Sequence, residues 1–299
     1  MAEGRRPGGG DLRLALALAG PAVLVVGLLG VLPVGIAAFE SLHLHDLRMP
    51  WLGRPFVGLG NYRELFADAR FRAALVHTLA FTGVSVGLEL LLGLGLALLL
   101  RRSTRGLALA RASVLLPFVL PTVVVALLWR FLFEGAAAPV NRIAVAAGLA
   151  PGPLPWLADP RLAWVPLVLA DVWKTTPFVT VLLLAGLAAI DPSVEEAARL
   201  DGAGPLRRLL HVTLPLLKPA LGVALLFRSL DALRVFDLVY ALTGGGPGTA
   251  TEPVSLYAFE QSLVNLRFGL GAAAAMVLLL VGLALAAPLL RGLFRGAAR

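Results

Sequence analysis

Long apolar segments alternate with short polar ones along most of this chain. Six apolar runs each contain at least the roughly 20 residues that a helix needs to cross a bilayer. The pattern predicts an all-α polytopic membrane protein with six transmembrane helices, preceded by a short basic tail at residues 1–13. The six predicted spans are about 14–39, 73–100, 107–133, 162–189, 220–242 and 269–290.

The stretch 191–219 separates the fourth and fifth runs and has a clear polar pattern. Ser193 and Glu196 have the spacing of a capping box, which predicts the start of a helix. Gly202 is expected to end that helix, and Pro205 suits the first turn of a second one. We therefore predict an elbow of two short helices. An ordinary amphipathic connection between membrane helices is the alternative.

Composition and charge favour the membrane interpretation. Hydrophobic residues make up 59% and charged residues 15% of the 299 positions, whereas a soluble domain has about a quarter charged residues. There is no cysteine, which excludes disulfides and thiol catalysis. The net charge of +8 could indicate nucleic acid, but the four segments that six spans place on one side are all basic. The first loop on the opposite side weakens this asymmetry, since it holds five arginines that acidic residues offset only in part. We therefore expect no nucleic-acid partner, and both termini and the elbow in the cytoplasm.

Several charged residues fall inside the predicted spans, where each costs roughly 2.5–3.5 kcal/mol to insert. Either their helix faces meet a water-filled cavity or partner chains, or the residues form a structural ion-pair network. For Glu89 we expect a structural partner in a neighbouring helix. The charged residues are Glu89, Asp171, Lys174, Arg228, Asp231, Arg234 and Asp237.

Catalytic motifs are missing from the sequence. There is no GxxxxGK[ST] phosphate loop, no HExxH and no GxSxG. The glycines from Gly244 to Gly248 lack an accompanying lysine and are interpreted as a turn. We therefore expect that the chain is not an enzyme, has no ATPase motif of its own and holds no metal.

The elbow resembles the EAA loop of ABC-transporter permease subunits. It has Glu-Ala-Ala, three residues, Gly, nine residues, and then Val-Thr-Leu-Pro, where the family usually has Ile in place of Val212. The resemblance implies that this loop couples the chain to a separate ATPase. The residues implied are Glu196, Ala197, Ala198, Asp201, Gly202, Leu214 and Pro215.

Other segments are similar to carbohydrate permeases of the same family. The run from Asp171 to Phe178 resembles their fourth-helix pattern, and Phe236 to Tyr240 followed by TGGGP resembles the segment that ends their fifth helix. The likeness extends from about Pro55 to the last span. It identifies the chain as a maltose-type first permease subunit of a binding-protein-dependent carbohydrate ABC importer.

This resemblance implies several partners in a bacterial inner membrane. They are a second homologous permease, a cytoplasmic ABC ATPase dimer that carries ATP and Mg, an extracytoplasmic sugar-binding protein, and membrane lipid. No cofactor is expected on this chain itself. Aromatic rings and charged hydrogen-bonding groups suit a sugar. The candidates for the solute path are Trp129, Asp171, Trp173, Lys174, Asp231, Arg234, Asp237 and Tyr240.

The solute itself is left open by the sequence. A disaccharide of maltose or trehalose type is expected, and glycerol 3-phosphate is the alternative, since its ABC permeases share much of the pattern. An ion-coupled secondary transporter could use the intramembrane charges as a relay, but it should show inverted repeats with paired broken helices, which the sequence does not. Either permease of such a pair can contain the solute site.

Overall fold

The computed structural model describes residues 9–101 and 107–297. The first eight residues of the predicted tail, residues 102–106 between the second and third predicted spans, and the last two residues lie outside these ranges. The described chain consists of helices and loops, with two isolated β-bridges and no strand. Five helices are long and apolar enough to cross a membrane, and a bent pair makes a sixth. The predicted fold class is confirmed.

The chain divides into two compact units, residues 1–67 with 258–276 and residues 68–257 with 277–299. In the first unit, the side-chain amide of Asn61 donates to the carbonyls of Ser41 at 2.8 Å and His43 at 2.9 Å, which ties the loop after the first span to a short helix. The helices of the first part of the chain are α1 (Gly9–Val26), a π-helical turn (Gly27–Val31), α2 (Leu32–Ser41), a 3-10 turn (Pro50–Leu52) and α3 (Gly60–Ala67).

The second unit contains most of the remaining helices, and α13 and α14 contribute residues to both units. The helices are α4 (Ala69–Leu100), α5 (Leu107–Val119), α6 (Thr122–Phe133), α7 (Pro139–Ala146), α8 (Trp164–Ala188), α9 (Pro192–Leu200), α10 (Pro205–Arg208), a π-helical turn (Leu209–Thr213), α11 (Leu214–Leu233), α12 (Asp237–Leu242), α13 (Val254–Phe259), a π-helical turn (Glu260–Val264) and α14 (Phe268–Ala297).

Helices α4, α8 and α11 pack together as the buried core of the second unit. A Cβ atom added to Gly93 of α4 would lie 2.6 Å from Cγ1 of Val179 on α8. A Cβ atom added to Gly186 of α8 would lie 2.6 Å from the Cβ atom of Ala220 on α11. Such close approach at small residues is typical of helix packing in membranes. The apolar centre comprises Ala97, Val179, Leu183, Leu187, Leu217 and Ala224.

The third predicted span, 107–133, is sharply bent. Its two parts, α5 and α6, meet at an angle of 104°. Pro121 is the N-cap of α6, with φ −57° and ψ 138°. Proline lacks an N–H group and disfavours a helical conformation in the residue before it, which explains a break at this position. Pro117 lies inside α5. Pro121 therefore marks the break of this span.

The fifth predicted span, 220–242, is not one helix. Helix α11 ends at Leu233 and α12 begins only at Asp237. The hydroxyl of Ser255 donates to the carbonyl of Val235 in the gap. A break inside a membrane helix is tolerated where such partners satisfy the freed backbone groups. The sequence does not reveal that the break is satisfied in this way, because Ser255 comes from a distant segment.

The elbow differs from the prediction at both ends. Its first helix, α9, begins at Pro192 and is capped by Asp191, whose carboxylate accepts a hydrogen bond from the Ser193 amide at 2.9 Å. Asp191 is therefore the N-cap in place of Ser193, since proline at the first helical position favours the earlier start. Helix α10 continues through the π-helical turn into α11, so Pro219 lies inside a long helix and does not end the elbow.

The glycine-rich segment after α12 is a turn, as predicted. Gly244, Gly245 and Gly248 have φ angles of 62°, 84° and 61°, which side chains disfavour. Beyond it, the buried carboxylate of Glu252 forms a bidentate pair with Arg70 at the start of α4, at 2.7 and 2.8 Å. The pair fixes the end of this segment to α4.

Candidate functional site

A cavity of about 270 Å³ lies at the gap between α11 and α12, beside α8 and the start of α6. The three residues between these two helices, Arg234, Val235 and Phe236, all line it. The lining residues are Thr122, Asp171, Lys174, Thr175, Asp231, Ala232, Arg234, Val235, Phe236, Asp237 and Leu238.

Five of the eight residues predicted to line a solute path surround this cavity. The acidic and basic groups provide hydrogen-bond acceptors and donors on one wall. Within the described ranges, neither Lys174 nor Asp237 forms an ion pair, and the Lys174 ammonium lies 5.6 Å from the centre of the Phe118 ring. The five residues are Asp171, Lys174, Asp231, Arg234 and Asp237.

Behind this wall, Arg228 of α11 ties three helices together. Its Nε atom donates to Oε2 of Glu89 at 2.5 Å, and its Nη2 atom donates to Oε1 of Glu89 at 2.9 Å. The same guanidinium donates to Asp171 of α8 at 3.3 Å and to Asp231 of α11. Arg228 is 3% exposed and Glu89 is fully buried. A guanidinium suits this arrangement because its donors form a planar fork.

Glu89 is also bound by α8. The hydroxyl of Thr175 lies 2.7 Å from Oε1 of Glu89. The predicted partner for Glu89 in a neighbouring helix is therefore confirmed. The intramembrane charges form an ion-pair network around Arg228, which is the second alternative, and several of them also line a cavity. Glu89 and Arg228 were not among the predicted site residues, and the only signal for them is the charge of each inside a span.

The aromatic residues predicted for the path lie outside the lining of this cavity. Trp129 and Trp173 pack against each other, with ring centroids 6.2 Å apart. The ring of Tyr240 stacks on Phe236 at 5.4 Å, and Phe236 does line the cavity. Tyr240 is therefore one ring away from the cavity, and the two tryptophans form a separate aromatic pair.

A second cavity, of about 370 Å³, lies between the end of α6 and the segment 153–158. Proline, alanine and leucine dominate its lining, together with Trp156. Its one charged lining residue, Glu134, is already paired with Arg130 at 2.9 Å. This cavity therefore lacks the convergent polar groups of the first one.

The elbow presents its predicted coupling residues at the surface. Glu196, Ala197, Asp201 and Gly202 of the first helix and turn are exposed, and so is Pro215. Ala198 and Leu214 are half-buried. On the same helix Leu200 is 90% exposed, which is unusual for a leucine and is typical of a surface that a partner covers. Leu206 and Leu210, further along the elbow, are 67% and 49% exposed in this chain.

Gly202 ends α9 in a Schellman motif. The amide of Ala203 bonds to the carbonyl of Ala198 at 3.0 Å, and the amide of Gly202 bonds to the carbonyl of Arg199 at 3.0 Å. Gly202 has φ +76°, and no atom lies within 4 Å of where its Cβ would be. Glycine is therefore required here by backbone conformation and not by space.

An ion pair joins the elbow to α4. Arg101, which directly follows the last residue of α4, donates to the carboxylate of Glu195 on α9. This hydrogen bond lowers the pKa of Glu195 below its ordinary value, with smaller contributions from the charges of Arg199 and Arg208. The pairing of Glu195 with Arg101 was not predicted. Spacing along the sequence identifies pairs within one helix, whereas these two residues are 94 positions apart and meet only in the folded chain.

Comparison with known proteins agrees with these features. The family described as binding-protein-dependent transport system inner membrane component matches residues 89–297. That range contains the ion-pair network, the cavity and the elbow. The family is one of transport components, in agreement with the prediction that the chain is not an enzyme.

Two relatives have similar length. The trehalose/maltose transport system permease protein MalF of Thermococcus litoralis is 44% identical over 253 residues, which cover 85% of this chain and 84% of the relative. The trehalose transport system permease protein SugA of Mycobacterium tuberculosis is 39% identical over 272 residues, which cover 90% of this chain and 84% of the relative.

A solved structure shows the same fold. A chain of a bacterial alginate ABC transporter, determined with a periplasmic protein bound to an alginate pentasaccharide, superposes with a TM-score of 0.78. The match covers 94% of each chain at 22% sequence identity. From the family match and these relatives, this chain belongs to the binding-protein-dependent transport system inner membrane components, a family of multi-pass proteins of ABC importers.

Proposed function

We propose that this chain is one of two permease subunits of an ATP-driven importer, and that the solute is a disaccharide of trehalose or maltose type. The observation that carries the proposal is the cavity at the α11 break, where Lys174 and Asp237 form no ion pair within the described ranges. An ammonium and a carboxylate can donate to and accept from sugar hydroxyls. The named substrates of the two relatives support this solute class.

The remaining partners follow from the elbow and the family. A second permease completes the translocation path, and a binding protein outside the membrane delivers the solute. A cytoplasmic ABC ATPase dimer binds ATP and Mg, since this sequence has no phosphate loop. The exposed face of α9 docks on one ATPase, with Glu196 meeting a basic group and Ala197 permitting close approach. The elbow then moves as a lever, because α10 continues into α11.

The test is uptake by the complete transporter in proteoliposomes, with radiolabelled trehalose, maltose and glycerol 3-phosphate in parallel. We expect uptake of a disaccharide that requires ATP inside and persists in the presence of an uncoupler. Uptake of glycerol 3-phosphate alone would show that the solute is this phosphate and not a disaccharide. Uptake that survives ATP depletion but is abolished by an uncoupler would show that an ion gradient, and not ATP, drives transport.

A matched pair of variants connects the cavity to this uptake. Lys174→Gln removes the unpaired ammonium of the cavity, and we expect disaccharide uptake to fall about tenfold, since a hydrogen bond to a charged group contributes about 1.5–3 kcal/mol. Lys218→Gln makes the same change at an exposed position of α11 outside the cavity, and uptake should be unchanged. Equal uptake by both variants would show that Lys174 does not contribute to the solute path.

A further inference from the structure

The carboxylates of the cavity are fixed from behind by a residue that does not line it. Arg228 is absent from the cavity wall, yet it donates to Asp171 at 3.3 Å and to Asp231, both of which line it. Asp231 also accepts a hydrogen bond from Arg234 at 3.2 Å. One oxygen of each carboxylate, Oδ2, is thus directed at the guanidinium.

The guanidinium in turn has its own anchor. Glu89 binds it through both carboxylate oxygens, from α4, a helix with no residue in the cavity lining. Bidentate pairing fixes the plane of a guanidinium as well as its position. The orientation of Asp171 and Asp231 therefore depends on an ion pair that lies outside the cavity.

A purely structural explanation of this pair is weak. Replacing a buried ion pair by uncharged residues is often neutral or stabilising, because removing two ions from water costs several kcal/mol each. Within a membrane span that cost is at its highest. Stability alone gives little reason to place Glu89 and Arg228, both almost fully buried, where apolar side chains could pack.

We propose that Arg228 is a positioning residue of the solute site: anchored by Glu89, it orients the cavity carboxylates Asp171 and Asp231 and balances their charge. This inference rests on the proposed function only in taking the cavity as the solute site. It adds two residues to that site and assigns a role to α4, which supplies the anchor. Arg228 does not touch the solute.

The decisive variant is the double substitution Glu89→Gln with Arg228→Gln. Arg228→Gln alone leaves Glu89 buried without its cation and can fail to fold. The double variant removes one positive and one negative charge, so the net charge is unchanged and Glu89 is not left as a buried anion without its cation. Asp171 loses one of its contacts but still borders the cavity. Thr180→Val serves as the control, since Thr180 is equally buried on α8 and its hydroxyl, among the residues that the structure describes, bonds to the Thr176 carbonyl of its own helix.

The first readout does not depend on the identity of the solute. The chain has no cysteine, so Val235→Cys places a single reactive thiol on the cavity wall. In the complete transporter, the thiol is modified by a cationic or an anionic methanethiosulfonate reagent. The two rates are measured from the increase in mass of this chain and are then compared. In the double variant we expect the ratio of the two rates to change severalfold, in either direction, and in the Thr180→Val background to stay the same.

The second readout is equilibrium binding of radiolabelled trehalose to the same purified complexes. We expect about a tenfold loss of affinity in the double variant, as for a lost charge-assisted contact, with normal assembly and thermal unfolding. Arg228→Lys in the wild-type background should retain part of the affinity, because it keeps the charge without the fork. An unchanged reactivity ratio in a double variant that assembles normally would overturn the proposal. Absence of binding by the wild type of both trehalose and maltose, measured in the same way, would overturn the proposed solute instead, and the thiol ratio would still decide the role of Arg228.

Discussion

At the scale of single residues, Gly202 and Gly204 show why two glycines in one turn are not equivalent. Both have open space around the position of a Cβ atom. Gly202 has φ +76°, whereas Gly204 has φ −64° and is the N-cap of α10. Only the first conformation is costly for an alanine, by roughly 1–2 kcal/mol.

Gly202→Ala is therefore expected to disturb the exit of the chain from α9 and to lower the number of solute molecules imported per ATP hydrolysed. A distortion of about 1 kcal/mol corresponds to about a fivefold change in the population of the native turn. The measurement is uptake and ATP hydrolysis by the same proteoliposomes. Gly204→Ala is the matched control and should preserve the ratio. Equal ratios for the two variants would show that α9 does not transmit force through this turn.

At the scale of helices, the contact between α4 and α8 depends on a small residue. A Cβ at position 93 would lie 2.6 and 2.9 Å from two atoms of Val179, whereas a Cβ at position 95 would meet nothing within 4 Å. Val179 is buried and branched at Cβ, so it cannot rotate away at low cost.

Gly93→Ala is expected to destabilise the chain, by about 1–3 kcal/mol if the helices are forced apart. Gly95→Ala, one half-turn further along α4, should be neutral or slightly stabilising because alanine is the better helix former. Thermal unfolding of the purified permease in detergent distinguishes them. A lower midpoint for Gly95→Ala than for Gly93→Ala would contradict this packing.

The elbow carries two adjacent glutamates with different expected roles. Glu195 bonds to Arg101 of the same chain, and Glu196 is exposed. Glu195→Gln should leave binding of the ATPase intact but weaken the link between α9 and α4, and Glu196→Gln should weaken binding of the ATPase. Co-purification of the ATPase and uptake per ATP separate the two effects. Loss of ATPase binding in both variants would assign them a common role.

The pH dependence of this link has a definite sign. Because Arg101 lowers the pKa of Glu195, the ion pair is fully formed at neutral pH. It is lost as the pH falls through the lowered pKa of this carboxyl group. The link is therefore constant over the neutral range, and its loss in acid should resemble the effect of Glu195→Gln.

The presence of long apolar helices could be predicted from the sequence because each apolar run is long enough to span a bilayer, although the fifth long helix covers Pro205–Leu233 and not 220–242. The break after Leu233 could not be predicted, because the hydroxyl that bonds to the freed carbonyl of Val235 belongs to Ser255, which is distant in the sequence. The cavity acids and bases were found from their cost inside a membrane. The choice of Arg228 as the partner of Glu89 could not be found, because it depends on which faces of α4 and α11 meet.

At the scale of the whole molecule, the distribution of arginines remains the basis for orientation. The elbow and both chain ends are basic, and the segment 243–266 has no lysine or arginine. The positive-inside rule therefore predicts a cytoplasmic elbow and places 243–266 on the opposite side of the membrane.

Single cysteines in this cysteine-free chain test that orientation. Thr249→Cys and Leu200→Cys introduce thiols at exposed positions of the turn after α12 and of the elbow. In intact cells, or spheroplasts where an outer membrane is present, a membrane-impermeant maleimide should label the first and not the second. Inside-out vesicles should give the reverse pattern. Labelling of Leu200→Cys from outside would invert the topology.

The ion pair of Glu89 and Arg228 also has a consequence for the synthesis and membrane insertion of the protein. The two residues are 139 positions apart in the sequence, so at about 5–20 residues per second the arginine is synthesised roughly 7–28 s after the glutamate. During that interval the acid of α4 enters the membrane without its final partner. We expect α4 to stay beside the insertion machinery, shielded from lipid, until α11 arrives and releases it.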